Sequence, residues 1–110
     1  MKQLFLLELN ELNFDVVKKY LDSGEELPGF RALLARLKAV ATSSESQYKE
    51  LEPWIQWPSV HTGKSYSDHG IFRLGDITTY TGEQIFEHLE RKGVSVGAVS
   101  AMNAANRLRS

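Results

Sequence analysis

Three features of the sequence predict an α/β fold with a mainly parallel sheet. The first is a continuous apolar run, Leu4 to Leu7, that continues past Glu8 to Leu9. A run of that length suits a strand buried on both faces, as parallel strands are. The second is helical apolar spacing at Phe14, Val17 and Leu21, repeated at Phe30, Leu33, Leu34 and Leu37. The third is the succession of an amphipathic segment, Gly93 and the β-rich run Val94-Ser95-Val96-Gly97-Ala98-Val99, the return half of a crossover connection.

Composition sets the outer bounds. With 110 residues, 42% hydrophobic and 25% charged, the chain has the make-up of an ordinary globular domain, and its length accommodates one α/β unit over residues 1–110. A net charge of −1, from 13 basic and 14 acidic residues, offers no field to attract nucleic acid. The absence of cysteine excludes disulfides and thiolate chemistry and is compatible with a reducing cytoplasm. The N-terminal apolar run, with one positive charge at Lys2, is too short for a signal-peptide core or a membrane span. The expectation is therefore a cytoplasmic protein without a membrane partner.

The first strand delivers Glu8, Asn10 and Glu11 to one rim of the sheet, where ligands of open α/β folds bind. Asn13 then caps a helix with Asp15 in its first turn and Lys18 and Lys19 in its last turns, matching the helix dipole, and Gly24 ends it. After Leu27-Pro28-Gly29, the Phe30–Leu37 stripe predicts a second helix packed on the sheet. Val40-Ala41-Thr42 reads as an edge strand and Ser43 to Glu50 as a loop. Pro58 to Thr62 reads as a helix with Pro58 in its first turn, and Gly63 as its stop. Thr81 with Gln84 three places on has the form of a capping box for the last helix, whose apolar face is Ile85, Phe86 and Leu89. Such a sheet keeps open edges and a thin core, so the unit either self-associates through an edge or is the front part of a larger α/β domain.

The densest chemistry lies in Glu52 to Ile71. Trp54 and Trp57, the only tryptophans, bracket Gln56 beside Pro53 and Pro58, an arrangement suited to a pocket wall that stacks and hydrogen-bonds a ligand. An aromatic plug beneath a loop explains the same residues. Gly63-Lys64-Ser65 mimics the tail of a phosphate-binding loop, but Pro58 stands where that motif needs glycine. His61, His69 and His88 lack zinc-protease spacing; His88 reads as surface, His69 as a turn residue, and His61 as the one nearest the pocket. Arg73 with Asp76 reads either as an anion contact or as a surface ion pair.

Four pieces in succession, Glu8-Leu9-Asn10-Glu11-Leu12-Asn13, Leu27-Pro28-Gly29-Phe30, Thr62-Gly63 with His69-Gly70-Ile71, and Gln84-Ile85-Phe86 through Gly97, resemble the alkaline phosphatase superfamily. The closest branch is the type I phosphodiesterase and nucleotide pyrophosphatase group. The resemblance implies the N-terminal part of a three-layer α/β sandwich and a hydrolase that clamps a small-molecule phosphate or sulfate ester between two divalent cations, zinc or manganese. It places Asn10 where the family has an aspartate ligand, with Glu11 as a neighbouring substitute; an amide is a weaker ligand than a carboxylate. It also puts Pro53 at the nucleophile's place, nine residues before Thr62. Proline cannot attack, so catalysis would fall to a displaced set: Ser59 as hydroxyl, Glu52 as base or metal ligand, and His61 beside the pocket. Ser59 and Thr62 have the competing option of bonding backbone carbonyls.

The chain is thus expected to be the front part of a metal-dependent phosphoesterase, inactive alone. Two alternatives stand beside it. One is a noncatalytic ligand-binding or assembly module that keeps Trp54, Gln56 and Trp57 without a nucleophile. The other is a structural fragment that associates through its exposed edge.

Overall fold

Helices and turns joined by irregular segments make up the computed structural model, which describes residues 3–109. Lys2, the positive charge of the N-terminal run, lies outside the described residues. The chain divides into two compact units, Met1–Thr42 and Ser43–Ser110.

No strand forms among the described residues, so the predicted α/β sandwich with a parallel sheet is not the fold. Leu4–Leu9, Val40–Thr42 and Val94–Val99 have no regular secondary structure and form no ladder, so the described residues hold no open sheet edge. The physical reason is that an apolar run specifies a demand for burial and says nothing about which neighbour meets it. Here the demand goes unmet: Leu4 and Phe5 are 85% and 89% exposed.

In the first unit, α1 spans Phe14–Asp22 and is capped as its sequence predicts. Asn13 Oδ1 accepts from the amides of Asp15 at 2.9 Å and Val16 at 3.3 Å, satisfying two of the orphan donors of the first turn. Gly24, at φ 92°, takes the left-handed conformation that closes the helix. Only Val17 of its apolar face is buried, with Leu21 half-buried and Phe14 exposed. Helix α2, Pro28–Leu34, starts on proline at its first position and buries none of its residues. The predicted stripe therefore covers no sheet: Phe30 and Leu34 are half-buried, while Leu33 and Leu37 face outward.

The second unit holds most of the packing. Helix α3 spans Pro53–Thr62, five residues longer at its start than predicted, which moves Pro58 from the first turn to the interior. Pro53, at the first position, is the proline whose missing amide does no harm. Gly63, at φ 65°, ends α3 and donates to the Ser59 carbonyl at 2.9 Å. A short α4, Tyr66–His69, follows, its first amide capped by Glu45 Oε1 at 2.7 Å. A 3₁₀ turn at Asp76–Thr78 is entered under Asp76, whose carboxylate accepts the amides of Arg73 at 2.8 Å and Phe72 at 3.2 Å. That carboxylate serves backbone rather than a surface ion pair.

Helix α5 spans Ile85–Arg91. Its capping box lies three residues later than predicted: Gln84 is the cap and Glu87 closes the box, accepting the Gln84 amide at 2.7 Å. Gly93, at φ 79°, ends the helix as expected.

The core of this unit is small and unusually polar. Ile55, Ile71 and Ile77 are buried, and beside them lie Glu50, His61, His69, Gln84 and Asn103. Buried polar groups are tolerated only when hydrogen-bonded, and here they tie distant segments together. Asn103 Nδ2 donates to the carbonyls of Trp54 at 2.6 Å and Arg73 at 3.2 Å, while its Oδ1 accepts from Gly75 N. The Gln84 amide pairs with both backbone groups of Ala105, each at 3.0 Å. The Arg107 guanidinium caps the carbonyls of Gly82, Ile77 and Tyr80. Side chains thus anchor the segment from Asn103 to Arg107 much as a sheet ladder would anchor a strand.

Candidate functional site

The segment singled out by sequence is α3, and its local geometry follows from its prolines and its apolar positions. Ile55 and Pro58 point into the core, and His61 joins them with 1% exposure. Glu52 is the N-terminal boundary residue of the helix; its carbonyl accepts from Ile55 and Gln56, and its side chain makes no cap.

Trp54 and Trp57 are both half-buried. Trp57 stacks on His61, with ring centroids 6.0 Å apart and planes at 27°, and His61 in turn tilts against Phe86 at 5.1 Å. This aromatic column joins α3 to α5. Gln56 Nε2 donates to the Glu50 carbonyl at 2.7 Å and so closes the 3₁₀ turn Tyr48–Glu50. Trp57 and Gln56 therefore have packing and capping duties within the unit. Trp54 offers its carbonyl to Asn103.

Ser59 is the hydroxyl nearest a histidine. Its Oγ lies 2.9 Å from His69 Nε2 and 3.4 Å from the Ile55 carbonyl. Such a pair invites a nucleophile–base reading, and the proton positions decide against it. Ile71 N–H donates to His69 Nδ1 at 3.0 Å, and an amide can only donate, so Nδ1 holds a lone pair. In the neutral ring the proton then sits on Nε2, which donates to Ser59 Oγ; the serine hydrogen is left for Ile55. A general base must receive the hydroxyl proton, and this imidazole faces the serine with its own. Burial holds the His69 imidazole below its ordinary value, outweighing the raising effect of Glu45 and Asp68. Thr62 Oγ1 likewise bonds the Pro58 carbonyl at 2.7 Å.

A cleft of about 280 Å³ lies between the end of α3 and the start of α5, lined by residues that include His61, Thr62, Glu83, Gln84 and His88. Its rim carries an ion cluster. Glu83 receives Arg91 through Nε and Nη2, both at 2.9 Å, and meets His88 Nδ1 at 3.0 Å. The hydrogen bond from Arg91, followed by that from His88, pulls the Glu83 carboxyl down to about 2.

Asn10 and Glu11 belong to the first unit, in the turn before α1, where Glu11 takes φ 59°. Among the described residues, no group of three or more histidine, aspartate or glutamate side chains is placed to hold a metal ion. One amide and one carboxylate are fewer ligands than a divalent cation takes, so Asn10 and Glu11 alone do not complete the expected zinc or manganese site. Among the described residues, no helix is long and apolar enough to cross a membrane.

Sequence reasoning missed Asn103, Gln84 and Arg107 as structural anchors. Gln84 had a readable signal, a Gln-x-x-Glu pair at Gln84 and Glu87 that can form its own box. Asn103 had a weaker one, since asparagine tolerates the left-handed backbone it adopts at φ 48°. No family model matches the chain, and neither the curated proteins nor the solved structures contain a significant match to it.

Proposed function

We propose that this chain is a noncatalytic assembly module whose apolar segment Gln3–Leu9 associates with the same segment of a second copy. The observation that carries this reading is the exposure of Leu4, Phe5, Leu6, Leu7 and Leu9 side by side, while Glu8 among them is half-buried. Isolated exposed leucines are ordinary, but a contiguous apolar stretch of this kind marks an interaction site. The segment has no proline or glycine and few charges, the composition of a strand that adds to another strand.

Magnitudes set the expected strength. Burying each of these side chains contributes about 1.5–3 kcal/mol. Association itself costs roughly 4–15 kcal/mol in lost freedom and ordering. Pairing two such segments covers only part of each side chain, so the gain is well below the full-burial figure and assembly is expected to depend on concentration. The absence of cysteine is compatible with a reducing compartment.

The phosphoesterase reading draws less support. Ser59 is already engaged as an acceptor from His69, and Asn10 and Glu11 fall short of a cation's ligand set. Sedimentation equilibrium of the whole chain and of Leu6→Asp tests the assembly reading. The wild type should exceed its monomer mass of 12.4 kDa as concentration rises, and the variant should remain monomeric with unchanged helix content. A wild-type monomer at every concentration would sink the proposal.

A further inference from the structure

We propose that His69 is an acid-sensitive latch that holds the arch from Ser65 to Ile71 against α3. Both ring nitrogens are committed in a directional way: Nδ1 accepts the Ile71 amide at 3.0 Å and Nε2 donates to Ser59 Oγ at 2.9 Å. His69 is 6% exposed, and the residue it secures, Ile71, is one of the three buried isoleucines of this unit. The arch is otherwise a single turn of helix closed by Gly70, whose amide donates to the Tyr66 carbonyl at 2.8 Å. A helix this short has little stability of its own.

Protonation acts at one place. The incoming proton can go only to Nδ1, where it would confront the Ile71 N–H, donor against donor. The Ile71 bond must break for the imidazolium to exist. Nε2 keeps its hydrogen in both states, so the Ser59 contact does not oppose the change.

The carboxylates around the ring favour its protonation. Glu45, from the loop before α3, and Asp68, from α4 itself, are the nearby carboxylates, and both attract the imidazolium. Tyr66 meets the ring edge-on at 5.9 Å. Asp76, Thr79 and Tyr80 line a cleft together with His69. Burial opposes these carboxylates and keeps the ring neutral until the medium turns acidic. The latch belongs to the second unit.

The test is amide hydrogen exchange at Gly70 and Ile71 in the full chain between about pH 8 and pH 5, corrected for intrinsic exchange rates. Imidazole ¹⁵N shifts recorded alongside report the ring state. Protection at Ile71 should be constant above the ordinary histidine range and then fall by up to about tenfold per pH unit. The Nδ1 shift should be that of an unprotonated nitrogen before the fall. Glu45→Gln, which removes an attractive carboxylate, should move the transition to lower pH, and His69→Gln should abolish it. Should His69→Gln fail to fold, the wild-type shifts and Glu45→Gln decide alone. An Ile71 amide whose protection is flat across this range, a proton on Nδ1 at neutral pH, or a transition unmoved by Glu45→Gln would overturn the proposal.

Discussion

Asn103 replaces a hydrogen bond that Pro58 removes from the middle of α3. In a regular helix the amide of residue 58 would donate to the carbonyl of Trp54, but proline has no amide hydrogen. Asn103 Nδ2 donates to that carbonyl instead, at 2.6 Å, from 49 residues further along the chain. A local defect in one helix thereby becomes a tertiary tie.

This arrangement predicts a coupling. Asn103→Ala leaves the partly buried Trp54 carbonyl unsatisfied and should destabilise the second unit by about 1–3 kcal/mol. Asn103→Gly should also destabilise, although glycine adopts the residue's φ of 48° without strain, which separates lost hydrogen bonds from backbone strain. In a Pro58→Ala background the new amide can serve Trp54, so the Asn103→Ala penalty should shrink. A double-mutant cycle by urea unfolding measures the difference.

Gln84 makes a second prediction. Its amide matches the donor and acceptor of Ala105 at 3.0 Å each, and its nitrogen also reaches Glu87 Oε1 at 2.6 Å. Gln84→Glu replaces that nitrogen with an oxygen facing a carbonyl and a carboxylate. It should cost more stability at neutral pH than Gln84→Ala, and the excess should diminish in acid as the new carboxyl protonates. Chemical denaturation of both variants at two pH values gives the comparison.

The first unit is testable through its cap. Asn13→Ala removes acceptors for the amides of Asp15 and Val16 and should cost about 1 kcal/mol of α1 stability. Residue-resolved hydrogen exchange should show the loss within Phe14–Asp22.

The pH dependence of the second unit has a definite sign. Because burial lowers the His69 value in the folded state, the unfolded chain binds more protons as the medium becomes acidic. His69 therefore contributes stability that is complete above about 6.5, the unfolded value, and is lost as pH falls through the lower folded value. Glu83 is also lowered, so its contribution is present above 4.5 and lost as pH falls toward about 2. Its carboxylate is solvent-exposed, and salt should weaken its effect. Unfolding midpoints at high ionic strength should keep the step below neutrality and flatten the one in strong acid.

The parts of this structure that sequence discloses are those decided within a few residues. The Asn13 cap, the glycine stops at Gly24, Gly63 and Gly93, and the hydroxyl bonds of Ser59 and Thr62 to carbonyls one turn back all depend on local stereochemistry. Failures come where a partner must be found at a distance. Leu4–Leu9 and Val94–Val99 have the composition of strands, yet pairing is a property of two segments, and neither forms a ladder. The site followed the same division. Trp54, Gln56 and Trp57 were legible as a dense polar and aromatic segment, but their duties depend on Asn103, Glu50 and His61, and spacing alone does not reveal those partners. The role of Ser59 turned on a tautomer set by Ile71, which no motif encodes.

Amide exchange across Gln3–Leu9 as a function of protein concentration tests the assembly reading most directly. If copies pair through this segment, its amides become protected as concentration rises, and Leu6→Asp removes that protection while leaving α1 intact. Amides that exchange at the unprotected rate in concentrated wild-type protein would contradict the account.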